Sequence, residues 1–198
     1  MKTSIIFGTL LLLGLSSCIP SIYPLYSPET VVTHPSVAGT WTADEEGPWK
    51  FTLRDDKSYQ LVTTEDGQTA SFSVHFVKLG DQLFMDFFPE TIGDSKSVLL
   101  GKSYFGDLEK NSLYFMHFVP VHTFAKVEIS AKSMLIKFYD PDFVKDLFEQ
   151  RKIRIRHETG SDGQIILSAQ TKELQKFLMK YGNDPKAFTS DTKISLTK

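Results

Sequence analysis

From Trp49 to Val77 the chain alternates apolar and polar residues with a period of two, and that rhythm restricts it to strands with one buried face. Trp49, Phe51 and Leu53 alternate with Lys50, Thr52 and Arg54. Tyr59, Leu61 and Thr63 oppose Gln60, Val62 and Thr64, and Phe72, Val74 and Phe76 alternate with Ser73, His75 and Val77. Turn signals punctuate the runs at Asp55-Asp56-Lys57, Asp66-Gly67 and Gly80-Asp81. Asp-Gly between alternating runs marks a hairpin. Further strands are expected at 82–87, 113–118, 121–129, 134–139, 153–157 and 164–168, the last two joined through Asp162-Gly163.

Two segments break the rhythm. Asp140 can cap a helix with Pro141 at its first position, and Phe143, Val144, Leu147 and Phe148 then form an apolar stripe. Thr171 can cap a second helix, with Leu174, Phe177, Leu178 and Tyr181 on one face and Gly182 past its end. Consecutive short strands fit a sandwich or a barrel, and closure removes exposed edges. The expected fold is mainly β: an antiparallel up-and-down barrel of about 8–10 strands, with two helices in the C-terminal third.

The first residues carry an address. Lys2 gives a positive start, an apolar run follows from Ile5 to Leu13, and small residues precede Cys18. This is the layout of a secretory signal, and the run is shorter than the ~20 apolar residues a spanning helix needs. Cys18 is the only cysteine in the chain, so no disulfide can form within it. Residues 18–36 carry Pro20, Pro24, Pro28 and Pro35 and read as an extended tether. Ile19, Ile22, Tyr23, Leu25 and Tyr26 are apolar enough for part of it to pack on the domain or lie near a bilayer. Residues 37–188 then form one globular domain, and the polar residues 189–198 are expected to fray.

Three resemblances bear on this layout. Leu15-Ser16-Ser17-Cys18 resembles the bacterial lipobox, which implies cleavage before Cys18, diacylation of its thiol and acylation of the new amine, with palmitate-type chains. Gly39-Thr40-Trp41 resembles the Gly-x-Trp signature of lipocalins. That likeness implies a tryptophan packed across the closed end of a barrel and covered by a late arginine, here Arg154 or Arg156. Cys18-Ile19-Pro20-Ser21, Pro24-Leu25-Tyr26, Val37 to Trp41, Phe88-Pro89, Pro120 to Phe124 and Asp140-Pro141-Asp142 are similar to a group of Bacteroidetes-type lipoproteins. It implies location and fold, not chemistry. Together they imply a lipid-anchored protein of the bacterial cell envelope, on the periplasmic face of the outer membrane, since no acidic cluster follows Cys18.

Motifs for chemistry are sparse. Gly101-Lys102-Ser103 lacks the glycine a phosphate loop needs five positions earlier, where Lys96 stands. Glu45-Glu46 and Asp55-Asp56 fall in turns, where acids are solvated. If Val119-Pro120 forms a two-residue turn, His117 and His122 face each other across strands, and His75 could complete a metal site. If the chain runs straight through, they point to opposite faces. No enzyme activity, cofactor or bound metal is expected. A net charge of −2 gives no footprint for nucleic acid.

Phe76, Phe84, Phe115 and Phe124 are at positions expected to point inward, and 90–110 is long for a connection and carries Tyr104. With His117 and His122 they make a candidate lining for a small apolar ligand; alternatively the aromatics fill the core. Two functions follow: an envelope lipoprotein that binds such a ligand, or a structural or protein-interaction module with a solid core.

Overall fold

The computed structural model describes residues 18–43, 47–65, 68–90, 119–161, 163–189 and 192–198. The leader expected at 1–17, the strand expected at 113–118, most of the connection at 90–110 and the Asp66-Gly67 turn lie outside these residues. In chain order the strands are β1 (Pro20–Ser21), β2 (Val31–Val32), β3 (Gly39–Ala43), β4 (Pro48–Leu53), β5 (Tyr59–Glu65), β6 (Gln68–Leu79), β7 (Gln82–Glu90), β8 (His122–Ile129) and β9 (Ser133–Phe138). Helix α1 (Pro141–Glu149), β10 (His157–Thr159), β11 (Ile165–Leu167), helix α2 (Thr171–Tyr181) and β12 (Lys193–Thr197) follow.

Eight of these strands close into an antiparallel barrel. β3 through β9 form a meander, and β12 enters the gap between β9 and β3. The fold is therefore the mainly β barrel with two late helices that the alternation predicts. The last strand is the correction. Residues 189–198 were expected to fray, yet Ile194 and Leu196 pair with Ile136 and Met134 of β9, and Leu196 also pairs with Ala43 of β3. Only Ile194 and Leu196 are apolar in β12, because its other residues face outward on a barrel wall. So short an alternation reads as a polar tail.

Alternation sorts every barrel strand into an inner and an outer set. Trp41, Phe51, Tyr59, Leu61, Val74, Phe76, Met85, Val127, Met134, Ile136 and Leu196 point inward and form one core. Leu25, Val77, Leu79, Phe84, Phe124, Val144, Leu147, Leu174, Phe177 and Leu178 form a second core between the wall and the two helices. Asp140 caps α1 as expected, accepting from the amides of Asp142 at 2.8 Å and Phe143 at 3.4 Å. Helix α2 departs in detail: Gln170 is its cap residue, and the Thr171 hydroxyl instead donates to the Pro24 carbonyl at 2.8 Å. Gly182 follows that helix at a position where a Cβ would lie 2.7 Å from the Leu178 carbonyl oxygen, so only glycine fits without a shift.

One barrel end is closed by a 3-10 turn at Pro35–Val37. The Trp41 indole donates to the Val37 carbonyl at 2.7 Å, and Val37 is fully buried. Lys198 lies over the Trp41 ring at 5.0 Å and donates to the carbonyls of Ser36 at 2.6 Å and Ala38 at 2.9 Å. The basic cover expected from Arg154 or Arg156 is thus supplied by Lys198, because the strand that completes the ring beside β3 is the last one.

The proline-rich segment is built into the domain as well. β1 pairs with β8 and β11, β2 pairs with β6, and Leu25 is fully buried. Beyond residue 19 it is a strap, not a free spacer, because its apolar side chains find a covered surface between wall and helices.

Leu196 plugs the barrel seam from both sides. Leu196→Ala is expected to lower stability by about 2–5 kcal/mol, measured by urea unfolding; a change confined to surface-like values would mean the seam does not depend on β12.

Candidate functional site

Among the described residues, those expected to line a ligand site do not all share one face. Phe76 lies in the barrel interior, packed edge-on against Tyr59 at 5.3 Å. Phe84 and Phe124 point the other way, into the outer core beneath the helices. The inward expectation fails for them because each is an aromatic on the outward set of its strand, beside Asp86 on β7 and between His122 and Lys126 on β8, where a covering layer buries it. His122 also faces outward, on the same face as Phe124. Tyr104, Phe115 and His117 lie outside the described residues, and so does the question of a His117–His122 pair.

A different cluster forms on the outer face of β6, β7 and β8, under the strap. His75 of β6 is directly cross-strand from Asp86 of β7. Asp86 is fully buried, and one carboxylate oxygen lies 2.7 Å from Nδ1 of His122. The other accepts the backbone amide of Leu25 at 2.6 Å. Tyr26 stacks on His75 with ring centroids 3.7 Å apart and meets His122 edge-on at 6.3 Å. Phe88 covers His122 at 4.5 Å. An ionised carboxylate can only accept, so against an ionised Asp86 this contact takes the His122 tautomer with its hydrogen on Nδ1.

Burial holds the His75 imidazole below its ordinary value of 6.5, with Asp86 and Asp56 opposing that shift. Burial also raises the Tyr26 phenol, helped by the same two carboxylates. Nearby, at the end of β7, Glu90 takes a bidentate contact from Arg54 at 2.6 and 2.9 Å.

A serine, a histidine and an aspartate do meet here, since Ser21 is cross-strand from His122. They do not assemble a nucleophile. Ser21 is fully buried, its hydroxyl donates to the Tyr23 carbonyl at 2.9 Å and accepts from the Tyr23 amide at 3.3 Å. Among the described residues no group of three or more His, Cys, Asp or Glu is placed to hold a metal. What the arrangement does is clamp: one carboxylate fixes the strap backbone and a histidine of the wall together. Cys18 stands two residues before Pro20, at the start of that strap.

Sequence reasoning missed Asp86 and Tyr26. The available signal was a lone acid inside the apolar run from Leu83 to Phe88, since a buried carboxylate must be paired.

Asp86→Ala would strip Leu25 and His122 of their shared partner. We expect a loss of about 3 kcal/mol together with fast hydrogen exchange at the Leu25 amide; a protected amide would show that the strap is held without the carboxylate. His75 adds a pH dependence. Its neutral form is favoured by folding, so the unfolded chain binds an extra proton as pH falls below the ordinary value, and stability drops from there downward. Replacing it, His75→Phe, should keep the Tyr26 stack and flatten the decline of thermal stability between about pH 6.5 and 5. An unchanged slope would assign the decline to other groups.

Compared with known proteins, the chain matches no protein family, no curated sequence and no solved structure.

Proposed function

We propose that the chain is a bacterial envelope lipoprotein, acylated at Cys18, whose barrel is a solid, non-enzymatic structural or protein-interaction module. The observation that carries this reading is the occupancy of the barrel interior. Trp41, Phe51, Tyr59, Phe76, Met85, Met134 and Ile136 are each no more than 1% exposed and pack against one another across all sides of the ring. Small eight-stranded barrels either fill with side chains or hold a ligand, and these large side chains favour the first. The second candidate, a carrier of a small apolar ligand, loses its basis when Phe84 and Phe124 face the outer layer.

The anchor half of the proposal rests on the lipobox likeness of residues 15–18 and on the position of Cys18 just before the domain begins. Each buried CH₂ of an acyl chain adds ~0.8 kcal/mol of membrane affinity, and two or more chains hold a protein stably. Membrane attachment is thereby supplied without a spanning segment. Among the described residues no helix is long and apolar enough to cross a membrane.

Native mass spectrometry of the protein purified from its own host tests both halves. The expected spectrum shows Cys18 as the first residue, bearing acyl chains, with no further bound molecule. A stoichiometric apolar guest, released on denaturation, would replace the solid module with a carrier. Cys18→Ala should leave the leader uncleaved and the acyl mass absent; a processed, unacylated product would remove the anchor.

A further inference from the structure

The strap leaves an acylated Cys18 almost no freedom. Pro20 and Ser21 are hydrogen-bonded into the sheet beside Thr123 and His122, and the strap is fixed again at Leu25 and Thr30. Two extended residues reach about 7 Å. The lipid therefore brings a particular face of the domain to the headgroups, not a domain swinging on a spacer.

That face belongs to a small flap, β10–β11–β1, which leaves the barrel at β8. Ser21, Leu167 and His157 stand in one row, and Leu167 is part of the outer core, so this row faces the domain. Ile22, just after β1, and Arg156, just before β10, are exposed on either side of Leu167 and Ser168, with the Ile22 amide bonded to the Leu167 carbonyl at 2.9 Å and the Ser168 amide to the Arg156 carbonyl at 3.0 Å. Cys18 precedes the buried Pro20 and Ser21 by two residues, and Ile22 follows them directly. Ile22 is 45% exposed and Tyr23, beside it, 37%.

Next to these apolar groups lies the densest basic run of the chain. Arg151, Lys152, Arg154 and Arg156 are all exposed, while Ile153 and Ile155 between them pack into the outer core. Among the described residues none of the four forms an ion pair. Glu158, exposed on the outward row of β10, is the opposing charge.

We propose that the outward face of the β10–β11–β1 flap lies on the bilayer, with Ile22 and Tyr23 at the headgroup level and Arg154 and Arg156 on anionic phospholipid. This rests on acylation of Cys18. An acyl anchor joined to a basic patch is a two-signal membrane contact, in which the charge orients what the lipid holds. Side chains with an apolar body and a polar tip suit that depth.

The acylated mature chain, labelled with a nitroxide at Ile22→Cys or, as a control, at Lys50→Cys, tests this on vesicles. Lys50 is exposed on β4, across the ring from β8. On vesicles mixing phosphatidylglycerol with phosphatidylcholine, the label at 22 is expected to lose about threefold of its collisions with a water-soluble nickel chelate relative to pure phosphatidylcholine. The label at 50 should not change. Arg154→Glu with Arg156→Glu should abolish the phosphatidylglycerol-dependent loss at 22, and Glu158→Lys should enlarge it. Equal accessibility at 22 and 50, in protein whose mass shows acylated Cys18, overturns the face while leaving the anchor intact. A mass showing bare Cys18 overturns the anchor and the face together.

Discussion

A sheet lined on one side with Trp41, Phe51, Tyr59 and Phe76 has to hide that side, and here it does so by curling until its edges meet. Curling leaves a seam between β3 and β9 that the meander cannot fill. β12 fills it, pairing with β9 over five positions and with β3 over two. Everything else is arranged around this closure. The final strand can enter only after the chain has passed through α1, the β10–β11 hairpin and α2, so these elements must lie on the outside of the wall. The C-terminal Lys198 then arrives at the barrel end beside Trp41, where its cation meets the ring and two carbonyls of the closing turn.

The wall is forked at β8. One edge of that strand serves β7; the other is shared, with residues from Ala125 to Ile129 facing β9 and His122 and Thr123 facing β1. The fork explains why there are two cores. Inside the ring, side chains meet only each other. Outside, the flap, the strap and both helices enclose Phe84, Phe124 and Leu25. Asp86 sits where these parts converge. A charged group there would cost several kcal/mol if unpaired, and it is tolerated because its two oxygens take one partner from the strap and one from the wall. The pairing therefore sets the strap's register as well as satisfying the charge.

The β4–β5–β6 stretch was legible because each of those strands has a polar outward neighbour for most inward residues. The helices were legible from their stripes and from Asp140-Pro141. Legibility ends where a face that alternation treats as solvent is covered. Phe84 and Phe124 stand on the outward sets of β7 and β8, among Gln82 and Asp86 and among His122 and Lys126, where the layer of helices and strap covers them. The Thr171 hydroxyl was read as a cap because nothing local announces that Pro24 lies beside it. β12 has two inward residues, too few to distinguish a strand from a tail. Asp86, His75 and Tyr26 are separated by up to sixty positions, and only the fold brings a strap residue over two neighbouring strands.

The strap also decides how load on the N-terminus reaches the domain. A pull at Cys18 acts first on β1, which holds β8 and β11 over only one or two residues each. Behind it stand the Leu25–Asp86 bond, the Thr171–Pro24 bond and the contact of Gln175 with the Leu25 carbonyl at 2.8 Å. β2 then secures the strap to β6. These attachments lie on different elements and are loaded in series, so β1 can open while the strap remains fixed at Leu25. The buried leucine and the carboxylate beneath it are thus the point at which the strap becomes part of a rigid body, and the barrel, closed independently by β12, does not depend on β1 to stay shut.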